Sequence, residues 1–119
     1  MGLDLWFSKE KRYKWFRKVN FLVKYFEDKG ESLMDEDSSC EVSREDVEDL
    51  IDRCNKVLKD HSLAEKLLPT RSGFFFGSTE YDDNYFRKVK DVHDFLEFEL
   101  IPEMEQLKDD EIIKFNIWY

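Results

Sequence analysis

Three stretches of the chain repeat apolar residues at helical spacing. In the first, Trp15, Val19, Leu22 and Phe26 recur at i, i+4, i+7 and i+11, widened by Phe16 and Val23 on one side and by Phe21 and Tyr25 on the other. Such a broad stripe belongs to a helix packed from several sides, and it predicts one over residues 8–28 that stops near Gly30. In the second stretch Val47, Ile51, Cys54 and Leu58, joined by Leu50, follow Ser43-Arg44-Glu45-Asp46, which has the form of a capping box. That helix is expected to reach about Asp60, with a shorter helical piece over 62–68 before Pro69. In the third, Tyr85, Val89, Val92 and Leu96, flanked by Phe86, His93 and Leu100, follow a capping pair of Thr79 and Asp82 and run to Pro102 or slightly beyond.

Elsewhere the helical period fails. Residues 68–79 place Gly73 and Gly77 around Phe74, Phe75 and Phe76, which predicts a short strand between two turns. The tail over 112–119 is rich in strand formers and is expected to pair with that strand. Residues 31–41 are mostly Ser, Asp and Glu, with one Met and no period, the pattern of a mobile and dispensable acidic loop. The expected fold is a single domain over 1–119, mainly α with a small β element (α+β): three principal helices and a short two-stranded antiparallel sheet. Its core is expected to contain Trp15, Val19, Leu22, Phe26, Ile51, Leu58, Val89, Val92 and Leu96.

Composition supports a folded chain. Although 39% of residues are charged, 16% are aromatic, including eleven Phe, and large rings bury on the order of 150–250 Å² each. The basic residues from Lys9 onward interrupt any leader-like apolar run, and no run approaches the ~20 residues of a membrane span. Trp6 stands where a myristoylation motif has Ser or Thr. The expectation is a soluble, cytoplasmic protein with no membrane partner. Cys40 and Cys54 match no zinc or disulfide pattern; Cys54 reads as core and Cys40 as an exposed thiol.

The net charge of −9 disfavours direct nucleic-acid binding, but it is unevenly spread. Residues 9–24 carry seven Lys or Arg against one Glu, whereas 27–52 carry twelve Asp or Glu against Lys29 and Arg44. No nucleophile elbow, P-loop or His-Glu-Xaa-Xaa-His motif occurs, and the two histidines are far apart: His93 reads as structural and His61 as a solvated helix end. The chain is therefore expected to be no enzyme, with no cofactor and no metal.

Two groups of residues remain as candidate ligand chemistry. On the first helix Tyr13, Arg17, Asn20 and Lys24 form a polar stripe opposite the apolar one, with Lys18 beside it and Phe21 and Tyr25 interleaved. Cations next to aromatic faces suit stacked, phosphate-bearing ligands, although periodicity alone describes an ordinary solvated face. Around the glycines, Arg71, Ser72, Ser78 and Thr79 offer a cation and hydroxyls ahead of a helix N-terminus, while Glu80, Asp82 and Asp83 in the same turn oppose an anion.

Trp15-Phe16-Arg17-Lys18-Val19-Asn20 with Lys24-Tyr25-Phe26, and Leu68-Pro69-Thr70-Arg71-Ser72-Gly73-Phe74-Phe75-Phe76-Gly77-Ser78-Thr79-Glu80-Tyr81-Asp82 with Tyr85-Phe86, resemble a family of small phage and prophage proteins without assigned function. The sequence departs from its pattern at Val19 and Phe21, where the family has small residues, and at Tyr25, where it has Trp. The resemblance implies one shared site made of Arg17, Lys18, Asn20, Lys24, Arg71, Ser72, Ser78 and Thr79, with Phe21, Tyr25 or Tyr81 stacking a base. By analogy with phage counter-defence sponges, it suggests sequestration of a nucleotide immune signal in a host cell, in a homo-oligomer. The alternative is an acidic inhibitor or DNA mimic whose face over 27–52, with Asp46, Glu48, Asp49 and Asp52 outward, occupies a basic groove on a host defence enzyme.

Overall fold

The computed structural model describes residues 3–9, 12–31, 37–73, 76–107 and 111–118. Near the N-terminus Leu3, Leu5 and Phe7 are buried while Asp4, Trp6 and Ser8 between them are not. That period of two makes a strand, β1 (Asp4–Ser8), which pairs antiparallel with β2 (Arg12–Arg17) through Leu5↔Phe16 and Trp6↔Trp15. Lys18 then adopts a left-handed φ of 56°, donates its amide to the Leu3 carbonyl at 2.7 Å, and turns the chain into α1 (Asn20–Asp28).

The helix expected over 8–28 is thus a hairpin strand followed by a helix of nine residues. Its apolar stripe is real from Val19 onward; Trp15 and Phe16 fall on the same period but belong to a strand. Aromatic residues favour strands when a partner strand is available, and pairing with β1 overrides local helical preference here.

The C-terminal strand forms as expected, but with other partners. β4 (Ile113–Trp118) lies between β1 and the edge strand β3 (Asp37–Val42), giving a four-stranded antiparallel sheet of order β2-β1-β4-β3. Phe76 is buried in a segment without strand pairing; Phe74 and Phe75 lie outside the described residues. Part of the expected acidic loop, 37–41, is therefore an edge strand, and 32–36 lie outside the described residues. Cys40, opposite Phe115 in that strand, is buried rather than exposed, and burial pushes its thiol up to about 12.

The remaining helices follow their patterns closely. α2 (Arg44–Lys59) begins with the expected capping box, in which Ser43 Oγ accepts from the Asp46 amide at 3.1 Å and Asp46 Oδ2 from the Ser43 amide at 3.2 Å. A 3-10 turn (His61–Leu63) and α3 (Ala64–Leu67) supply the short helical piece before Pro69. α4 (Asp83–Phe95) is capped by Asp82, whose carboxylate accepts from the Tyr85 amide at 3.0 Å, and not by Thr79. It runs through a π-helical turn (Leu96–Leu100) into α5 (Ile101–Glu105), where Ile101 N–H bonds Leu96 O. The widened turn lets the helix continue past Pro102, which has no amide hydrogen to donate.

One side of the sheet carries the core. Leu5, Phe7, Phe16, Ile113, Phe115 and Ile117 are buried against the helices, with Phe26 stacked on Phe115 at 4.6 Å and Phe7 tilted on Phe95 at 5.5 Å. Val19, Leu22, Phe26, Val89, Val92, Leu96 and Cys54 are buried as expected, and Ile51 and Leu58 pack at the margin. The side chain of Trp15 lies outside those described. The other side of the sheet shows Trp6, Ser8, Lys114, Asn116 and Trp118, the last 57% exposed. Among the described residues no helix is long and apolar enough to cross a membrane.

Candidate functional site

Asn20, the first residue of α1, is 97% buried as a consequence of where the chain must go next. Its Nδ2 donates to the carbonyls of Phe76 at 3.1 Å and Ser78 at 3.0 Å, and its Oδ1 accepts from the Arg71 amide at 3.2 Å. Both amide hydrogens and the oxygen are engaged, so the side chain binds the loop over 69–82 to α1.

The loop is closed from within as well. Thr70 Oγ1 donates to the Thr79 carbonyl at 3.0 Å, the Thr70 amide donates to the Tyr81 hydroxyl at 3.2 Å, and Ser78 Oγ accepts from the Glu80 amide at 3.0 Å. Tyr85, itself buried, donates its hydroxyl to the Leu68 carbonyl at 2.7 Å, and burial raises its phenol above the ordinary range. Gly77 has a φ of 89°, and a Cβ there would sit 3.0 Å from Lys18 Cβ, so the loop meets the left-handed Lys18 only because this residue is glycine. Arg71 pairs with Glu27, lies 4.8 Å over the Phe76 ring, and donates from Nη1 to the Ser72 carbonyl at 3.0 Å.

Of the sequence-derived candidates, Lys18, Asn20, Arg71, Ser72, Ser78, Thr79 and Tyr81 do gather around this loop. Arg17 and Lys24 do not join them. Arg17 is exposed at the end of β2, opposite Asp4 on the sheet, and Lys24 pairs with Asp28 at 3.0 Å. Phe21 and Tyr25 are core residues: Phe21 packs edge-on against Tyr85 at 5.6 Å, and the Tyr25 hydroxyl donates to Asp49 Oδ2 at 2.8 Å. The expected polar stripe assumed a helix through residue 17, and the left-handed turn at Lys18 divides it. The side chain of Tyr13 lies outside those described.

A concavity does lie between Lys18, Ser78, Asp82, Asn84 and Lys88, with a volume of about 10 Å³. That admits one water molecule, against roughly 300–1,000 Å³ for a small-ligand pocket. Lys88 Nζ already donates to the Lys18 carbonyl at 3.1 Å, and desolvation holds its ammonium below the usual lysine range. The arrangement is a clasp in which Asn20, Thr70, Arg71, Tyr85 and Lys88 hydrogen-bond internally.

The second candidate surface, on α2, is also internally paired. Asp46 meets Lys29 at 3.2 Å, Glu48 meets Arg44 at 3.0 Å, Asp49 meets Arg53 at 3.0 Å and Asp52 meets Lys56 at 2.8 Å. His93 lies between Asp94 and Glu97 at 3.0 Å each, and its hydrogen bond holds the Asp94 carboxyl below its usual range. Among the described residues no three His, Cys, Asp or Glu side chains form a metal-binding group. Comparison with protein-family models, curated proteins and solved structures finds no match for the chain.

Proposed function

We propose that the chain is a non-enzymatic binding protein that acts through its acidic exterior on a protein partner with a basic surface. The supporting observation is the state of the clasp: Asn20 and Arg71 are committed to internal contacts, and the space between the remaining candidates is only about 10 Å³. With no room for a nucleotide at this loop, the acidic exterior becomes the candidate surface, and a net charge of −9 favours a basic partner.

The ion pairs along α2 do not prevent this. Arg44 with Glu48 and Lys56 with Asp52 are half exposed or more, and such pairs contribute only about 0–1 kcal/mol, so a partner's lysines and arginines exchange for them at small cost. In the phage setting that the sequence resemblance implies, the partner is a host defence enzyme whose nucleic-acid groove is basic.

The test is affinity capture from host extract with the full chain and with a Glu45→Lys, Glu48→Lys, Asp52→Lys variant whose circular dichroism is unchanged. A basic partner should bind the parent chain, weaken as salt shortens electrostatic range, and fail to bind the variant. Equal capture by both would remove α2 from the interface. Sequestration of a phosphate-bearing nucleotide is the second reading, supported by Lys18, Ser78, Asn84 and Lys88 around one concavity. It requires that concavity to open, and a nucleotide at 100 times its Kd would then add about 2.7 kcal/mol of stability. Such a gain in a thermal-shift panel would overturn the surface reading.

A further inference from the structure

We infer that the groove between the end of the sheet and α5 holds a segment of the partner in which apolar and basic residues stand together. The inference rests on the acidic-surface reading above and adds the place where an apolar side chain of that partner is seated. The ladder of β3 on β4 ends at the row Val42↔Ile113, and there the chain turns through Ser43 into α2. α5 passes alongside, with Arg44 of α2 reaching Glu105 at 3.4 Å. Between them lies an open groove of about 470 Å³, within the roughly 300–1,000 Å³ of ligand pockets and far above the 10 Å³ at the clasp.

The floor of the groove is apolar. Val42, Met104 and Ile113 are buried, Leu107 is half-buried beside them, and Ile112 is 43% exposed, one of three large apolar side chains so exposed among the described residues. A single exposed isoleucine is ordinary on a surface, but this one continues an apolar floor. Methionine, unbranched and polarisable, adapts its shape to the apolar group it meets. An apolar floor inside a charged rim is the anatomy of an interface.

The rim decides the charge of the occupant. Glu41, Asp46 and Glu111 line the groove against Arg44. With their ion pairs included, Lys9 on Glu111, Lys29 on Asp46, and Glu48 and Glu105 on Arg44, five carboxylates stand beside three cations. Glu41 is exposed and pairs with no cation among the described residues, so a lysine or arginine next to the seated apolar residue meets it without displacing an internal partner. A fatty acid or a nucleic acid would bring its own negative charge to the same carboxylates. The groove is also continuous with the acidic face of α2, since Arg44 and Asp46 of its first turn line it. Exposed charges alone give weak, salt-sensitive recognition; a seated apolar side chain supplies the part that salt does not remove.

The test titrates a fluorescein-labelled peptide of alternating lysine and leucine into the full chain, with the methionine methyl groups isotope-labelled for NMR and the Met104 signal assigned through Met104→Leu. The peptide should bind and shift the Met104 signal, whereas peptides of lysine with serine, or of glutamate with leucine, should bind about tenfold more weakly or not at all. Ile112→Gln should weaken the lysine-leucine peptide about tenfold at any salt concentration, and Glu41→Gln about threefold at low salt only, each with unchanged circular dichroism. Should either variant not fold, the Met104 signal of the parent chain decides. Equal binding of the glutamate-leucine peptide or an unmoved Met104 signal would overturn the inference. So would a Met104 shift on concentrating the chain alone, which would seat a second copy in the groove. The Glu45→Lys, Glu48→Lys, Asp52→Lys variant separates the two readings. Loss of the peptide by that variant, with Met104 unmoved in the parent chain, removes the groove and leaves the acidic face of α2 standing. Peptide retained by it but lost by Ile112→Gln keeps the groove and removes α2.

Discussion

Leu22→Asp is expected to leave the chain without a cooperative unfolding transition. Leu22 has no exposed surface, one turn before Phe26 stacks on Phe115 of the central strand. Removing a buried leucine costs about 2–5 kcal/mol, and burying a carboxylate without a partner adds several more. The sum reaches the ~5–15 kcal/mol of a whole small domain. Val89, equally buried on α4, should respond in the same way when replaced by Asp. A thermal melt resembling that of the parent chain for either variant would mean that the sheet and these helices do not share one core.

The second large effect comes from excising 37–42, most of which the acidic composition marks as dispensable. In the folded chain this segment is β3, and it forms the outer ladder on β4. Its loss exposes Cys40 and Val42 partners, uncovers the edge of β4 beside Phe115 and Ile117, and removes six residues of register. Burial of one aliphatic side chain is worth about 1.5–3 kcal/mol, so a loss of at least about 4 kcal/mol is expected, with aggregation through the new edge. Urea unfolding and soluble yield measure both. A variant as stable as the parent would show that β3 is dispensable after all.

These two segments also show which features the sequence made legible. The stripes of α2 and α4 survive intact because each lies on one helix with one buried side, so local period and tertiary burial agree, and Ser43 caps α2 where its motif predicts. The N-terminal hairpin was hidden because Trp15 continues the helical spacing of Val19, Leu22 and Phe26, while the alternation that reveals β1 spans only Leu3, Leu5 and Phe7. β3 was hidden because Ser38, Cys40 and Val42 are a weak apolar face among acidic residues. At the site, grouping Asn20 with residues of the 69–82 segment followed from the resemblance, but their polarity suggested ligand chemistry. Nothing in spacing reveals that Asn20 spends both hydrogens and its oxygen on backbone 51–58 residues away. The pairing of Arg71 with Glu27 was equally invisible.

The clasp can be separated from a ligand site by comparing Asn20→Ala and Arg17→Ala in equilibrium urea unfolding. Asn20→Ala removes three hydrogen bonds and leaves buried backbone groups of the loop unpaired, at roughly 1 kcal/mol for each bond and more where a group stays dry, so a loss of about 3 kcal/mol is expected. Arg17, exposed at the strand end, should change stability by less than about 0.5 kcal/mol. The loop residues then hold the fold together. Near-parental stability for Asn20→Ala would contradict this, because the loop would then be held without its three hydrogen bonds to Asn20.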